Sequence, residues 1–337
     1  MKSMNLIIAV IAGCGLLYAG DTSRKGSTGA DQLLIPVGAK TIATAGAFMA
    51  STTGTEAMYV NPAGLSGSEG SEALFSYTNY IADLKLSYFG AAYYMGDLGS
   101  VGLSFKSLNF GDIPVTTAQF PDGTGATYSP SFFVLGLTYS KPITDRVRAG
   151  LSMKYINESI MATGANGLAF DFGIQYKFLG NFWLGVALKN IGSDMRYSGT
   201  DLQQKTQVPN ATPTSYGSGV YEPVTESFEL PSVFELSVSY LLEVTQDNSL
   251  ALAALYRNNN ALEDEVCIGT ELTLLQAIRL RGGYELLTQD QSDSEYGLTL
   301  GAGIEYSVSK LVIDVDYAYR SFKSFKGNQG IAIKVAF

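Results

Sequence analysis

From about residue 70 onward, apolar residues recur at every second position rather than at helical spacing. In "LAFDFGIQYKF", residues 168–178, Leu168, Phe170, Phe172, Ile174, Tyr176 and Phe178 share one face, and Ala169, Asp171, Gly173, Gln175 and Lys177 share the other. Successive side chains of a strand point to opposite sides, so this is a ribbon with one oily and one wet face. Similar ribbons follow, with Val147, Ala149, Leu151, Met153 and Tyr155 opposing Arg148, Gly150, Ser152 and Lys154, and Leu311, Ile313, Val315, Tyr317 and Tyr319 opposing Asp314, Asp316 and Arg320. The pattern predicts fourteen strands, near 71–81, 85–95, 98–109, 131–141, 146–157, 166–178, 181–191, 230–243, 248–257, 264–274, 277–287, 297–307, 310–320 and 326–337. The run 248–256, "NSLALAALY", alternates least clearly.

The connections sort by parity. Links from even to odd strands are short, such as "GDLG" near 96, "LGN" near 180 and "LQA" near 275; three of the odd-to-even links are long, at about 110–130, 192–229 and 288–296. Short turns at one end and long loops at the other mark a transmembrane barrel, which also takes an even number of strands. The polar face carries charges of both signs: Lys106, Arg148, Lys154, Asp171, Lys177, Lys189, Glu235, Glu271, Arg279, Arg281, Glu285, Glu305, Asp314, Asp316, Arg320 and Lys334. A wet or plugged lumen can pair such groups, whereas on a lipid face Lys or Arg costs about 2–4 kcal/mol at the midplane. A soluble two-sheet protein with charged outer faces explains neither the loop parity nor the aromatic last residue, Phe337. The expected fold is therefore all-β: a 14-stranded antiparallel transmembrane β-barrel over 70–337, with Phe337 ending a lipid-facing stripe.

Composition narrows the function. Charged residues make up 16% of the 337, against about 25% in ordinary globular chains. The net charge of −9 gives no basic face for nucleic acid. There is no histidine, which removes Ser-His-Asp and Cys-His nucleophiles and His-based zinc sites. No catalytic residue, metal site or cofactor is expected, and the chain does not read as an enzyme. Lys2 followed by the apolar stretch Leu6–Tyr18 reads as an export signal over 1–19, too short to span a bilayer. "IAGC", Ile11–Cys14, resembles a lipobox, but the apolar run continues past the cysteine. The location implied is the outer membrane of a Gram-negative-type cell.

Within the segment 20–69 that precedes the barrel, residues 29–65 do not alternate. "VGAKTIATAGAFMASTTGTEAMYVNPAGL", 37–65, is rich in Ala, Gly and Thr, which let backbone approach backbone. Thr55 is placed to N-cap a short helical turn through Met58 and Tyr59, stopped at Asn61-Pro62 because the residue before proline avoids the α region. The segment is too small-sided for a separate domain and fits inside the barrel or against its wall as a hatch.

"GAKTIATAGAF" followed by "EAMYVNPAGL" resembles the N-terminal signature of the PorV/PorQ proteins, within the wider FadL-like outer-membrane family. Asn61, Pro62, Ala63, Gly64 and Leu65 carry the match. The resemblance implies a fourteen-stranded barrel with an N-terminal luminal hatch. It also implies two functions. PorV-like members bind secreted cargo in type IX secretion and hand it on, so the implied partners are secreted proteins or a translocon. FadL-like members pass fatty acids and other hydrophobic small molecules, through hatch movement and a lateral opening. Some relatives are linked to lipid A deacylation, which the absence of histidine argues against. Export of proteins is the leading expectation and uptake of hydrophobic molecules the alternative. The polar loop 192–229 suits a protein contact or a flexible lid, or is simply a solvated outer loop. The loop 110–130, with Phe110, Ile113, Val115, Phe120 and Tyr128, offers an apolar collecting surface.

Overall fold

The computed structural model describes residues 24–207, 218–289, 294–309 and 311–337; the expected signal segment, with Cys14, lies outside them. All fourteen predicted strands are present. In chain order they are β1 (Glu72–Asn79), β2 (Lys85–Tyr94), β3 (Ser100–Asn109), β4 (Ser131–Thr144), β5 (Val147–Ile160), β6 (Thr163–Lys177), β7 (Phe182–Gly192), β8 (Val233–Glu243), β9 (Ser249–Asn259), β10 (Glu265–Leu274), β11 (Ile278–Leu287), β12 (Tyr296–Val308), β13 (Leu311–Phe322) and β14 (Asn328–Ala336). Each pairs antiparallel with its neighbours in sequence. The ring closes where Glu72 faces Ala336 and Asn79 faces Gln329. Beyond that ladder Ser71 and Phe337 exchange two backbone hydrogen bonds, of 3.0 and 2.9 Å. No strand of the ring has an open edge, so every ladder can satisfy its amides internally, as hydrocarbon surroundings require.

Burial is inverted relative to a water-soluble fold. On β6, Phe172 and Ile174 are 50% and 52% exposed, while Asp171 and Gln175 are fully buried. The same holds on β5, where Leu151, Met153 and Tyr155 are exposed and Ser152, Lys154, Ile156 and Glu158 are buried. Exposed apolar residues recur around the wall, among them Phe75, Phe89, Leu135, Ile268, Leu300, Val315 and Ile333. An apolar band of this extent matches the lipid-facing surface of a membrane barrel. No described helix is long and apolar enough to cross a membrane.

The hairpin of β5 and β6 extends three residues further on each strand than the periodicity predicts, to Ile160 opposite Thr163. The extra residues, "ESI" and "TGA", pair without an apolar stripe. Loop 110–130 holds a small hairpin, Ile113–Pro114 with Thr127–Tyr128. In loop 192–229, Met195–Arg196 pairs with Ser227–Phe228, and Gln204–Gln207 with Ser218–Tyr221.

The N-terminal segment consists of short turns: Asp31–Leu33, helix α1 (Ala39–Ala43), Ala47–Ala50, Gly54–Glu56, helix α2 (Ala57–Val60) and Pro62–Gly67. Together these turns touch all fourteen strands: Gly54–Glu56 reaches β1 and β2, Pro62–Gly67 reaches β3 to β6, Ala47–Ala50 reaches β7 to β10, and α1 reaches β11 to β14. So short a stretch reaches every strand only from within the ring. The composition now has a reason, since Ala39, Ala43, Ala47, Ala50, Ala57 and Ala63 are all fully buried and larger side chains would not fit between wall and turn. Thr55 does not cap α2. Glu56 holds the cap position without a side-chain bond, and Thr55 turns instead to Glu72, whose carboxylate accepts from its amide at 2.8 Å and its hydroxyl at 3.3 Å.

Candidate functional site

The motif Asn61–Leu65 is buried throughout. Asn61 ends α2 in an extended conformation, as expected before proline. It is fully buried and its side chain caps the turn Pro62–Gly67. Its Oδ1 accepts from the Ala63 amide at 3.1 Å. Its Nδ2 donates to the carbonyls of Ile174 and Val186, at 3.2 and 3.3 Å, on β6 and β7. Gln175 donates to the carbonyls of Met49 and Thr52 at 3.1 and 2.9 Å, and Ser140 to that of Ala63 at 2.7 Å. Two glycines permit the approach: a Cβ on Gly64 would lie 2.1 Å from the Thr52 carbonyl, and one on Gly173 2.0 Å from Asn61 Oδ1.

The charged residues of the polar face form ion-pair groups in the interior. On β10 to β14, Arg281 holds Glu271 at 2.6 Å and Asp316 at 2.5 Å, while Arg279 holds Asp314 at 2.8 Å and also Glu305. Lys334 reaches Asp314 at 2.9 Å, and Lys40 of α1 approaches Glu271 at 3.8 Å. Across β7 to β10, Glu235 lies between Lys189 at 3.0 Å and Arg257 at 2.8 Å, and Arg257 continues to Glu265 at 2.5 Å. Arg320 pairs with Glu285 at 2.6 Å, and Lys154 with Asp171. Lys106 is buried and donates to the Ile35 carbonyl at 2.5 Å. Arg148 and Lys177 stand at the short-turn end, over the ring of Trp183. Lys177 is exposed at the rim rather than enclosed.

Between the N-terminal segment and the wall lies a cavity of about 290 Å³. One side is apolar, with Leu33, Leu34, Ile35, Ile42 and Val60; the other carries Lys189, Glu235, Arg257, Glu265, Glu285 and Arg320. Tyr59, Tyr80 and Tyr296 join the two. Tyr59 donates to the carbonyls of Leu33 and Leu34, at 3.3 and 3.0 Å. Burial pushes its phenol above the ordinary value, which keeps it a donor. Tyr80 and Tyr296 share a hydroxyl contact of 2.8 Å, and the Arg320 guanidinium stacks 3.4 Å from the Tyr296 ring centre. Such a space offers hydrocarbon contact on one side and fixed polar groups on the other. Arg257, Glu265, Tyr80 and Tyr296 were not singled out by the sequence pattern. Arg257 lies just past the weakly alternating run 248–256, and Glu265 is the first residue of β10.

At the long-loop end the segment meets the loop 192–229. Gly29 donates to the Glu229 carbonyl at 3.0 Å, and Arg24 pairs with the Glu229 carboxylate at 2.5 Å. Gln32 donates to Glu158 at 2.8 Å, and Tyr197 of the loop donates to the other oxygen of that carboxylate. Burial, and then the neighbouring carboxylate, hold the Tyr197 phenol above its ordinary value.

No protein-family model and no curated protein matches this chain. Solved structures do. CymD, described as a monoaromatic hydrocarbon channel, shares 13% identity, covers 90% of this chain and 97% of its own, and gives a TM-score of 0.55. The Pseudomonas putida toluene transporter TodX shares 13%, with 89% and 96% covered and a TM-score of 0.56. The Ralstonia pickettii toluene transporter TbuX shares 14%, with 89% and 98% covered and a TM-score of 0.54. At such identity the likeness is one of fold. The PorV/PorQ resemblance of residues 38–65 remains a feature of the sequence alone.

Proposed function

We propose that this protein is an outer-membrane channel of FadL type that admits hydrophobic or amphipathic small molecules. In this proposal residues 20–69 form the hatch, the charged strand residues line the lumen, and the long loops face outward. The observation that carries it is the cavity between the N-terminal segment and the wall, apolar on one side and polar on the other, inside a barrel with a continuous apolar exterior. The toluene and hydrocarbon channels that share the fold favour small-molecule passage over the protein-export expectation.

The mixed lining favours molecules that combine an apolar body with a hydrogen-bonding group, since a bare hydrocarbon leaves the polar wall unpartnered. The test is uptake by vesicles containing the purified protein, with decanoate and p-cresol as amphipathic solutes and toluene as the apolar one. Faster entry of decanoate and p-cresol than in protein-free vesicles supports the proposal. No acceleration of any of the three, together with co-purification of secreted proteins, restores the export alternative, for which the polar loop 192–229 is the supporting feature.

A further inference from the structure

We propose that the short-turn mouth of the barrel carries a second binding site, for the carboxylate of an organic acid with an apolar body. The site is built from Arg148, Lys177 and Trp183, inward-facing residues on the neighbouring strands β5, β6 and β7. The Arg148 guanidinium lies 5.2 Å from the Trp183 ring centre and the Lys177 ammonium 5.1 Å from it. Both cations are attracted by the ring face, but neither forms an ion pair with a carboxylate among the described residues.

Arg148 is the exception among the described arginines of the barrel strands. Arg257, Arg279, Arg281 and Arg320 each hold at least one carboxylate. Arg148 Nη1 is buried with no hydrogen-bond partner, pressed against the turn Pro62–Gly67 so closely that a Cβ on Gly67 would lie 2.6 Å from it. The residue as a whole is only half-buried, so the rest of its fork stays open at the mouth to an anion from outside the chain. The adjoining stretch of β4 and β5 is basic. The stretch 141–148 contributes Lys141, Arg146 and Arg148 against one acid, Asp145, and the Lys177 amide donates to the Arg146 carbonyl at 2.8 Å. This lies in a protein whose net charge is −9.

The guanidinium fork matches a carboxylate, and the indole offers an apolar surface between the two charges. That combination favours an acid with a hydrocarbon body over a small inorganic anion. Lying beneath the Asn61–Gly67 turn, the site would receive an acid leaving the barrel at this end. Its existence does not depend on transport, because binding is measured at equilibrium in detergent.

Trp183 is the chain's one tryptophan, so the site reports on itself. Octanoate added to the full chain in non-ionic detergent at low salt is expected to change Trp183 fluorescence saturably. Octanol, of equal length and no charge, is expected to give no saturable change. Arg148→Gln and Lys177→Gln are each expected to weaken octanoate binding roughly tenfold, and Arg148→Lys to recover most of that loss. Raising salt should weaken binding. Identical titrations by octanoate and octanol, or undiminished octanoate binding in Arg148→Gln, would overturn the proposal. Inorganic phosphate binding as tightly as octanoate would overturn the assignment to an acid with an apolar body.

Discussion

Asn61 joins three backbone segments, bonding to its own turn and to β6 and β7 while fully buried. Asn61→Ala strands these groups without solvent and is expected to cost about 1–3 kcal/mol, seen as a lower thermal midpoint in detergent. Conductance across a planar bilayer should rise in the same variant if the turn blocks the lumen. Glu235 stands between two cations at 2% exposure. Glu235→Gln leaves Lys189 without its partner and weakens the hold on Arg257, for an expected loss of about 3–5 kcal/mol in chemical denaturation. Glu305→Gln, at a half-buried carboxylate, should cost much less, since partly solvated pairs contribute about 0–1 kcal/mol. Residue types announced the motif but not the partners. The step from Val60 to Asn61-Pro62 marks where α2 ends, whereas nothing local to Thr55 tells that Glu72, seventeen positions on, competes for its hydroxyl.

Strands were legible because lipid and lumen impose opposite chemistry on alternate residues. On β14, Ile333 faces outward and Lys334 inward toward Asp314. Ile333→Arg is expected to reduce folding stability in lipid vesicles by about 2–4 kcal/mol, measured by denaturant titration; Ile333→Leu should leave it nearly unchanged. The alternation stops informing where it stops being enforced, as at the top of the β5–β6 hairpin, where "ESI" and "TGA" continue the ladder without an apolar face. It also blurs on β9, where small Ala251, Ala253 and Ala254 suit either side. That blur hid Arg257 and the cavity wall it builds. The N-terminal turns were legible only as small-sided chain, because their conformation is dictated by the space inside the ring. Deleting residues 29–65 should convert a nearly closed barrel into a conducting one, read as a stepwise rise in single-channel current; an unchanged current would show that these turns do not block the path.

As a whole, the barrel wall keeps its ion pairs inside and its oil outside, so its solubility and its fold make opposite demands on water. The purified chain is expected to stay dispersed only with detergent, and to run faster on an SDS gel before boiling than after, because the closed ring resists the detergent until heated. Identities of 13–14% with channels of the same architecture fit this picture. A barrel wall asks for an apolar residue at alternate positions and is tolerant about which one.

The seam between β1 and β14 also sets an order of events in the life of the chain. The first strand's partner is synthesised 250 or more positions later. Until Asn328–Ala336 arrives, Glu72–Asn79 has one unpaired flank and the nascent sheet has two sticky borders. Shutting so distant a loop is slow, and exposed borders invite sheets from other copies to join. A product interrupted before Asn328 would therefore be expected to clump rather than insert, its two borders left unsewn.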